Sequence, residues 1–177
     1  MGLRKKIIRK MVNDLLAQAE VNTPPVPLEK IAGNLNLRLR FQPYDGELSG
    51  CIVRKDGHSI IGINSSHHEN RQRFTLAHEI GHYLLHKGEE MFIDRDFRVN
   101  LRDAHSGKAE NLEEIEANQF AAELLMPANL LSEELKGKAF DLEDGSMIRK
   151  LAVRYKVSSQ ALSYRLVNLG YLNPYAK

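Results

Sequence analysis

The sequence predicts an α+β fold, a small antiparallel β-sheet with several helices packed around it. Three observations carry that expectation. Two apolar runs flank Lys55-Asp56-Gly57-His58, and Asp-Gly is a strong tight-turn signal, so SGCIVRKDGHSIIGIN reads as a hairpin. Long stretches on either side of it carry apolar residues at helical spacing. No internal repeat or low-complexity tract interrupts the 177 residues, a length that suits one compact domain or one domain with a small appendage.

Taken in order, the chain begins with Ile7, Ile8, Met11, Val12, Leu15, Leu16 and Ala19, the spacing of an amphipathic helix over residues 1 to 20. Such a basic helix can lie on a membrane surface, but docking onto the protein's own core is the stronger reading. NTPPVP is a linker by composition, LEKIAGNLN a short helix, and LRLRF an alternating, half-buried strand. After the hairpin, Ser66-His67-His68-Glu69 has the form of a capping box, with Ser66 as N-cap and Glu69 at N3. A long helix should follow to about His86, stopped at Gly88. Residues 89 to 109 are polar and irregular and show no clear element. A helix is expected from about Asn111 to Met126, with Pro127 as the first residue of a short one after it. Two more fit 146 to 156 and 159 to 169.

Composition narrows the function classes. At 42% hydrophobic and 27% charged the chain can bury a core and does not read as disordered. A formal charge of +2 is too small to imply a nucleic-acid or membrane partner by itself. The single cysteine, Cys51, leaves no intrachain disulfide and favours a reducing compartment. The N-terminal stretch is a poor signal peptide, its apolar run broken by Arg9, Lys10, Asn13 and Asp14, and Lys6 stands where myristoylation requires Ser or Thr. No stretch is long or apolar enough to span a bilayer. A cytoplasmic protein with no membrane partner is expected.

FTLAHEIGHYLLH, residues 74 to 86, raises the chemical question, because it sets His78, His82 and His86 one helical turn apart. His78-Glu79-Ile80-Gly81-His82 is an HExxH arrangement. Residues four apart on a helix sit nearly above one another, so the two imidazoles can grip one ion. Glu79 lies about 100° around from His78, placed for a water on that ion and not for the ion itself. Phe74, Ala77, Gly81, Leu84 and Leu85 form an apolar stripe, so the helix is also structural. Gly81 weakens a helix interior by about 1 kcal/mol relative to Ala, which makes sense if another element passes close by. Leu85 and Gly88 occupy the positions where one large class of HExxH enzymes needs Gly and a third His, which excludes that class. His86, a further turn along the axis, reads as a cleft residue supporting the ligands.

The third ligand is sought in NLEEIEANQFAAELLMP. With Glu114 as zero on a helical wheel, Ala117, Ala121 and Leu125 fall within about 60° of it. Glu113 lies at the edge of that apolar face, while Glu116 points away with Gln119 and Glu123. Glu114 is thus the carboxylate aimed into the core, where an ionised group needs a partner or a metal. Asn118, one turn on, can accept the far N–H of a ligand histidine and set its tautomer. A salt bridge from Glu114 to Arg71 or Arg73 is the competing assignment. The ligand set favours zinc over manganese or iron.

The blocks RFTLAHEIGHYLLH and EIEANQFAAELLMP together resemble the ImmA/IrrE family of zinc metallopeptidases, closely over about residues 60 to 127 and loosely beyond. The resemblance implies a zincin-like active-site helix, His78, His82 and Glu114 as zinc ligands, and Glu79 as catalytic base. It also implies a protein substrate, a helix-turn-helix transcriptional repressor whose cleavage derepresses mobile-element or stress-response genes. Under this reading residues 1–135 form the metallopeptidase domain and 136–177 a helical segment packed on it. Glu79 would take a proton from the attacking water and pass it to the leaving amine. His86, His105 and Tyr83 are candidates for a second oxyanion donor. Strand residues 59 to 63 are a candidate edge for substrate to join.

The C-terminal MIRKLAVRYKVSSQALSYRLVNLGYL resembles a helix-turn-helix. Ser159, Gln160, Ser163, Tyr164 and Arg165 are placed for DNA, and Arg149, Lys150, Arg154 and Lys156 for phosphates. The alternative function is therefore a DNA-binding or repressor-binding regulator with little or no protease activity. Two helices closing the core are preferred, because the charge is low. The intact Glu79 weighs against a regulator that only binds a repressor.

Overall fold

A computed structural model describes residues 2–45, 48–55, 57–86, 91–94, 109–136 and 145–172. The described residues form seven helices and one four-stranded sheet: α1 (Gly2–Gln18), α2 (Leu28–Asn34), β1 (Leu37–Gln42), β2 (Gly50–Lys55), β3 (His58–Asn64), α3 (Glu69–Leu85), β4 (Met91–Asp94), α4 (Ala109–Leu125), α5 (Ala128–Leu135), α6 (Ser146–Tyr155) and α7 (Ser159–Asn168). The class is α+β, and β2 and β3 form the expected hairpin, with Lys55 opposite His58 and Gly57 at φ +75° in the turn.

The sheet corrects the expectation in three ways. It is mixed, with order β1-β3-β2-β4, because β1 pairs parallel with β3 while β2 pairs antiparallel with both β3 and β4. The link from β1 to β2 carries β2 past the neighbouring slot, and the tight turn then returns β3 into it, running with β1. It follows that 59 to 63 is an interior strand and not an edge, since both of its sides are paired. Finally, Met91–Asp94, inside the stretch expected to be irregular, adds to β2 as an edge strand. Its run Met-Phe-Ile is short, and flanking polar residues hide it from a window-based reading.

One core runs through the molecule. Ile52, Ile61 and Ile63 lie beneath Leu76, Ala77 and Ile80 of α3, and Phe120, Leu124 and Leu125 of α4 continue it. Helix α1 docks on this core through Ile8, Val12, Leu15 and Leu16, each worth about 1.5–3 kcal/mol of burial. Leu151, Tyr155, Leu162 and Leu166 bring α6 and α7 into the same cluster. No described helix is long and apolar enough to cross a membrane.

Helix starts also differ locally from the sequence reading. His68, not Ser66, is the N-cap of α3, its Nδ1 accepting from Asn70 N at 3.1 Å. The buried Asn64 side chain accepts from Ser66 N at 3.0 Å and donates to Leu48 O at 2.8 Å, so it holds Ser65 and Ser66 in a turn and delays the helix. Glu69 then pairs with Lys156 Nζ at 2.8 Å instead of closing a capping box. Pro127 is likewise the N-cap of α5 and not its first helical residue, so that helix begins one residue later than expected.

Candidate metal centre

Helices α3 and α4 pack against each other at Gly81. A Cβ there would stand 3.1 Å from Phe120 Cδ1 and 3.2 Å from the Ala117 Cα, so the missing side chain is what lets α4 approach. That approach sets Glu114 of α4 opposite His78 and His82 of α3. His78 Nε2 lies 3.3 Å from Glu114 Oε2, His82 Nε2 3.1 Å from Glu114 Oε1, and the two Nε2 atoms 2.9 Å apart. Among the described residues these three form a group whose ligand atoms all lie within 4.8 Å of one another.

The spacing fits a metal. Bonds of about 2.0–2.1 Å to a tetrahedral ion separate neighbouring ligand atoms by about 3.3 Å, close to all three separations here. Both histidines are buried, while the Glu114 side chain keeps 36% of its exposure. The carboxylate thus sits at the mouth of the α3–α4 cleft, and not in the core as the helical wheel implied. Burial alone would push the Glu114 carboxyl up, but the hydrogen bonds and charges of His78 and His82 overcome it and hold it at about 2. Burial lowers the His82 pKa, keeping the ring neutral and its lone pair available. Neither competing arginine reaches Glu114, because Arg71 donates to Ser49 Oγ at 2.8 Å and Arg73 to Val26 O at 2.8 Å.

The surrounding groups orient this cluster. Asn118 Oδ1 stands 3.1 Å from His78 Nδ1 and can accept its N–H, leaving Nε2 as the lone-pair nitrogen. Glu79 is fully buried between α3 and the sheet, where Gly50 makes room for it. A Cβ on Gly50 would fall 2.4 Å from Thr75 Cγ2 and 3.2 Å from Glu79 Oε1. Arg54 of β2 donates to His82 O at 3.3 Å and His86 O at 3.2 Å, closing the end of α3, and its guanidinium lies 5.9 Å over the Tyr83 ring. Sequence reasoning missed both Gly50 and Arg54. They share the pleat face of the buried Ile52, so strand parity was the available clue.

His86 is placed differently from His78 and His82. Its Nε2 lies 3.1 Å from the Glu113 carbonyl, which pins the end of α3 to the start of α4, and its ring centroid lies 5.3 Å from that of His82 with the planes tilted by 55°. Of the candidate oxyanion donors, Tyr83 sits beneath Arg54 and His105 lies outside the described residues.

Two further assignments change. Glu116 and Glu123 turn away from the cluster but not into solvent, because α1 and α7 cover that side of α4. Glu116 pairs with Arg4, and Glu123 bonds Arg165 at 2.6 Å and Arg9 at 3.5 Å. Arg165 therefore points inward, its Nε also donating to Met126 O at 3.0 Å, and is not available to DNA. Arg154 and Lys156 are engaged by Glu134 and Glu69, which weakens the DNA-reading alternative further.

Comparison with known proteins shows the family of the chain. Residues 32–167 match the IrrE N-terminal-like domain, peptidase family M78. The chain is 36% identical over 137 residues to the radiation response metalloprotease IrrE of Deinococcus radiodurans, covering 77% of this chain and 38% of that protein. It is 38% identical over 131 residues to the protein of the same name from Deinococcus deserti, covering 73% and 42%. It is 27% identical over 125 residues to the metallopeptidase ImmA of Bacillus subtilis, covering 71% and 66%. The chain thus spans about two fifths of the length of the two IrrE proteins.

Proposed function

We propose that the chain, which belongs to the ImmA/IrrE family of metallopeptidases, is a zinc-dependent endopeptidase. Its substrate is a helix-turn-helix transcriptional repressor of the cytoplasm, and cleavage derepresses mobile-element or stress-response genes. The observation that carries the hydrolytic reading is the triad of ligand atoms from α3 and α4, with a carboxylate next in sequence to the first histidine. The choice of substrate rests on the family resemblance.

His78, His82 and Glu114 would hold the zinc, a set of two nitrogens and one oxygen that leaves a fourth position open. Bound there, zinc supplies a Lewis acid that makes water acidic near neutrality and favours charge on the carbonyl oxygen of the substrate. Glu79 accepts the proton of the attacking water at its carboxylate, then returns it to the departing amine, so the C–N bond breaks as an N–H bond forms. Asn118 keeps His78 in the tautomer that binds. Residues 1–135 and 136–177 act as one unit, because α7 is bound to α4.

The test is incubation of zinc-loaded protein with purified helix-turn-helix repressors encoded beside it, with fragments mapped by mass spectrometry. A single cut that disappears on chelation and returns with zinc is the expected result. Equal cleavage by the demetallated protein would sink the reading.

A further inference from the structure

The α3–α4 cleft does not end at the metal cluster. One helical turn toward the start of α3 it opens into a cavity of about 430 Å³, within the range of ligand pockets. Phe74 lines this cavity, and its ring centroid lies 6.5 Å from that of His78, the residue one turn on. Asn118 is shared, touching His78 Nδ1 on one side and lining the cavity on the other. Helix α7 closes the far side through Ala161 and Tyr164.

We infer that this cavity is the pocket that selects the substrate residue beside the scissile bond, and that it takes a large apolar side chain such as Leu, Met or Phe. The inference rests on the endopeptidase reading above. A peptide with its reacting carbonyl at His78, His82 and Glu114 must run along the cleft. Among the described residues, one turn along that cleft, this cavity offers a space large enough for a side chain. Phe74, Ala122, Met126, Val157 and Ala161 give it an apolar lining. Its charged lining residues are Arg71 and Arg165, the latter already paired with Glu123, and none of the lining residues is acidic. A lysine or arginine side chain entering it would therefore find no carboxylate in the lining to pair with.

The same geometry gives the helix-turn-helix-like segment a different job. Helix α7 is tied to α4 by the Arg165–Glu123 pair at 2.6 Å and by Arg165 Nε donating to Met126 O, which sets it against the cavity as a wall. Tyr164, which the sequence placed for DNA, faces the cavity.

The experiment digests a peptide library, prepared from a bacterial proteome, with zinc-loaded protein, and maps the cuts by mass spectrometry. One position flanking the cut should be enriched in Leu, Met and Phe and depleted of Lys and Arg. Ala161→Phe, which fills the pocket from α7, should lower cleavage of those peptides about tenfold or more and shift that position toward Ala and Ser, with zinc stoichiometry unchanged. Ala122→Phe, filling it from α4, should do the same. An unaltered preference in both zinc-binding variants would overturn the assignment while leaving the endopeptidase reading intact. A second measurement does not need cleavage: N-acetyl-leucinamide, but not N-acetyl-lysinamide, should shift the backbone amide resonances of Ala122, Val157 and Ala161. Absence of those shifts in the wild-type protein would overturn the pocket even if no peptide were cut, and absence of cutting alone would overturn only the protease.

Discussion

Asn118 Oδ1 lies 3.1 Å from His78 Nδ1, so a residue of α4 is placed to accept the N–H of an α3 histidine and hold its tautomer. Removing that acceptor leaves the ring free to rotate and to change tautomer. Asn118→Ala should weaken zinc binding about 10–100-fold. Competition with a chromophoric chelator measures this, and an unchanged affinity would show that His78 is oriented by packing alone.

The two carboxylates of the site should separate cleanly. Glu79→Gln keeps the zinc and lowers peptide cleavage by about two to four orders of magnitude, because only proton transfer is lost. Glu114→Ala loses the zinc itself. Metal stoichiometry after gel filtration, paired with a cleavage assay, distinguishes the two variants.

Gly81→Ala tests the crossing of the helices. The substitution gains about 1 kcal/mol of helix propensity, but the new methyl must push on Phe120 and on the backbone of Ala117, 3.1–3.2 Å away. A net loss of about 1–2 kcal/mol is expected from overpacking, with weaker zinc binding because Glu114 moves with α4. Urea denaturation of the apo form reads the first effect and chelator competition the second.

Arg165→Leu removes the cation that neutralises a Glu123 side chain only 5% exposed and leaves Arg9 alone to do so, at 3.5 Å. The loss should be about 2–4 kcal/mol, near the low end for breaking a buried pair. The double variant with Glu123→Leu should recover much of it. If the single variant were neutral, the pair would not anchor α7.

Tyr155 provides the pH test. Its hydroxyl is buried with no hydrogen-bond partner among the described residues, and burial raises its pKa. A group whose pKa is raised on folding stabilises the protein below its unfolded value and loses that contribution above it. Stability should therefore fall above about pH 10, as the unfolded chain ionises and the native one cannot. Tyr155→Phe should flatten that fall and, at neutral pH, stabilise the protein by up to about 1 kcal/mol. Denaturation midpoints at neutral and alkaline pH check both.

What could be read from the sequence was what local periodicity encodes. The HExxH spacing, the β2–β3 hairpin and the helical phase of Glu114 relative to Asn118 depend on neighbours a few residues apart, and the structure contains the hairpin and brings His78, His82, Glu114 and Asn118 together. What escaped reading depends on partners far along the chain. Asn64 overrides the Ser66 cap through Leu48 and Tyr44, and Glu116 turns out buried because α1 lies on it. The slot that β3 takes between β1 and β2 depends on a crossover, which alternation of side chains does not record.

The guanidinium of Arg54, straddling the carbonyls of His82 and His86, has a practical consequence for anyone wishing to transplant this centre. The two helices that carry His78, His82 and Glu114 are not a portable unit. Excised as a helical pair, they would leave the terminal turn of the histidine helix frayed just where its second imidazole must hold still. The smallest graft that preserves the geometry has to carry the hairpin along, as a splint.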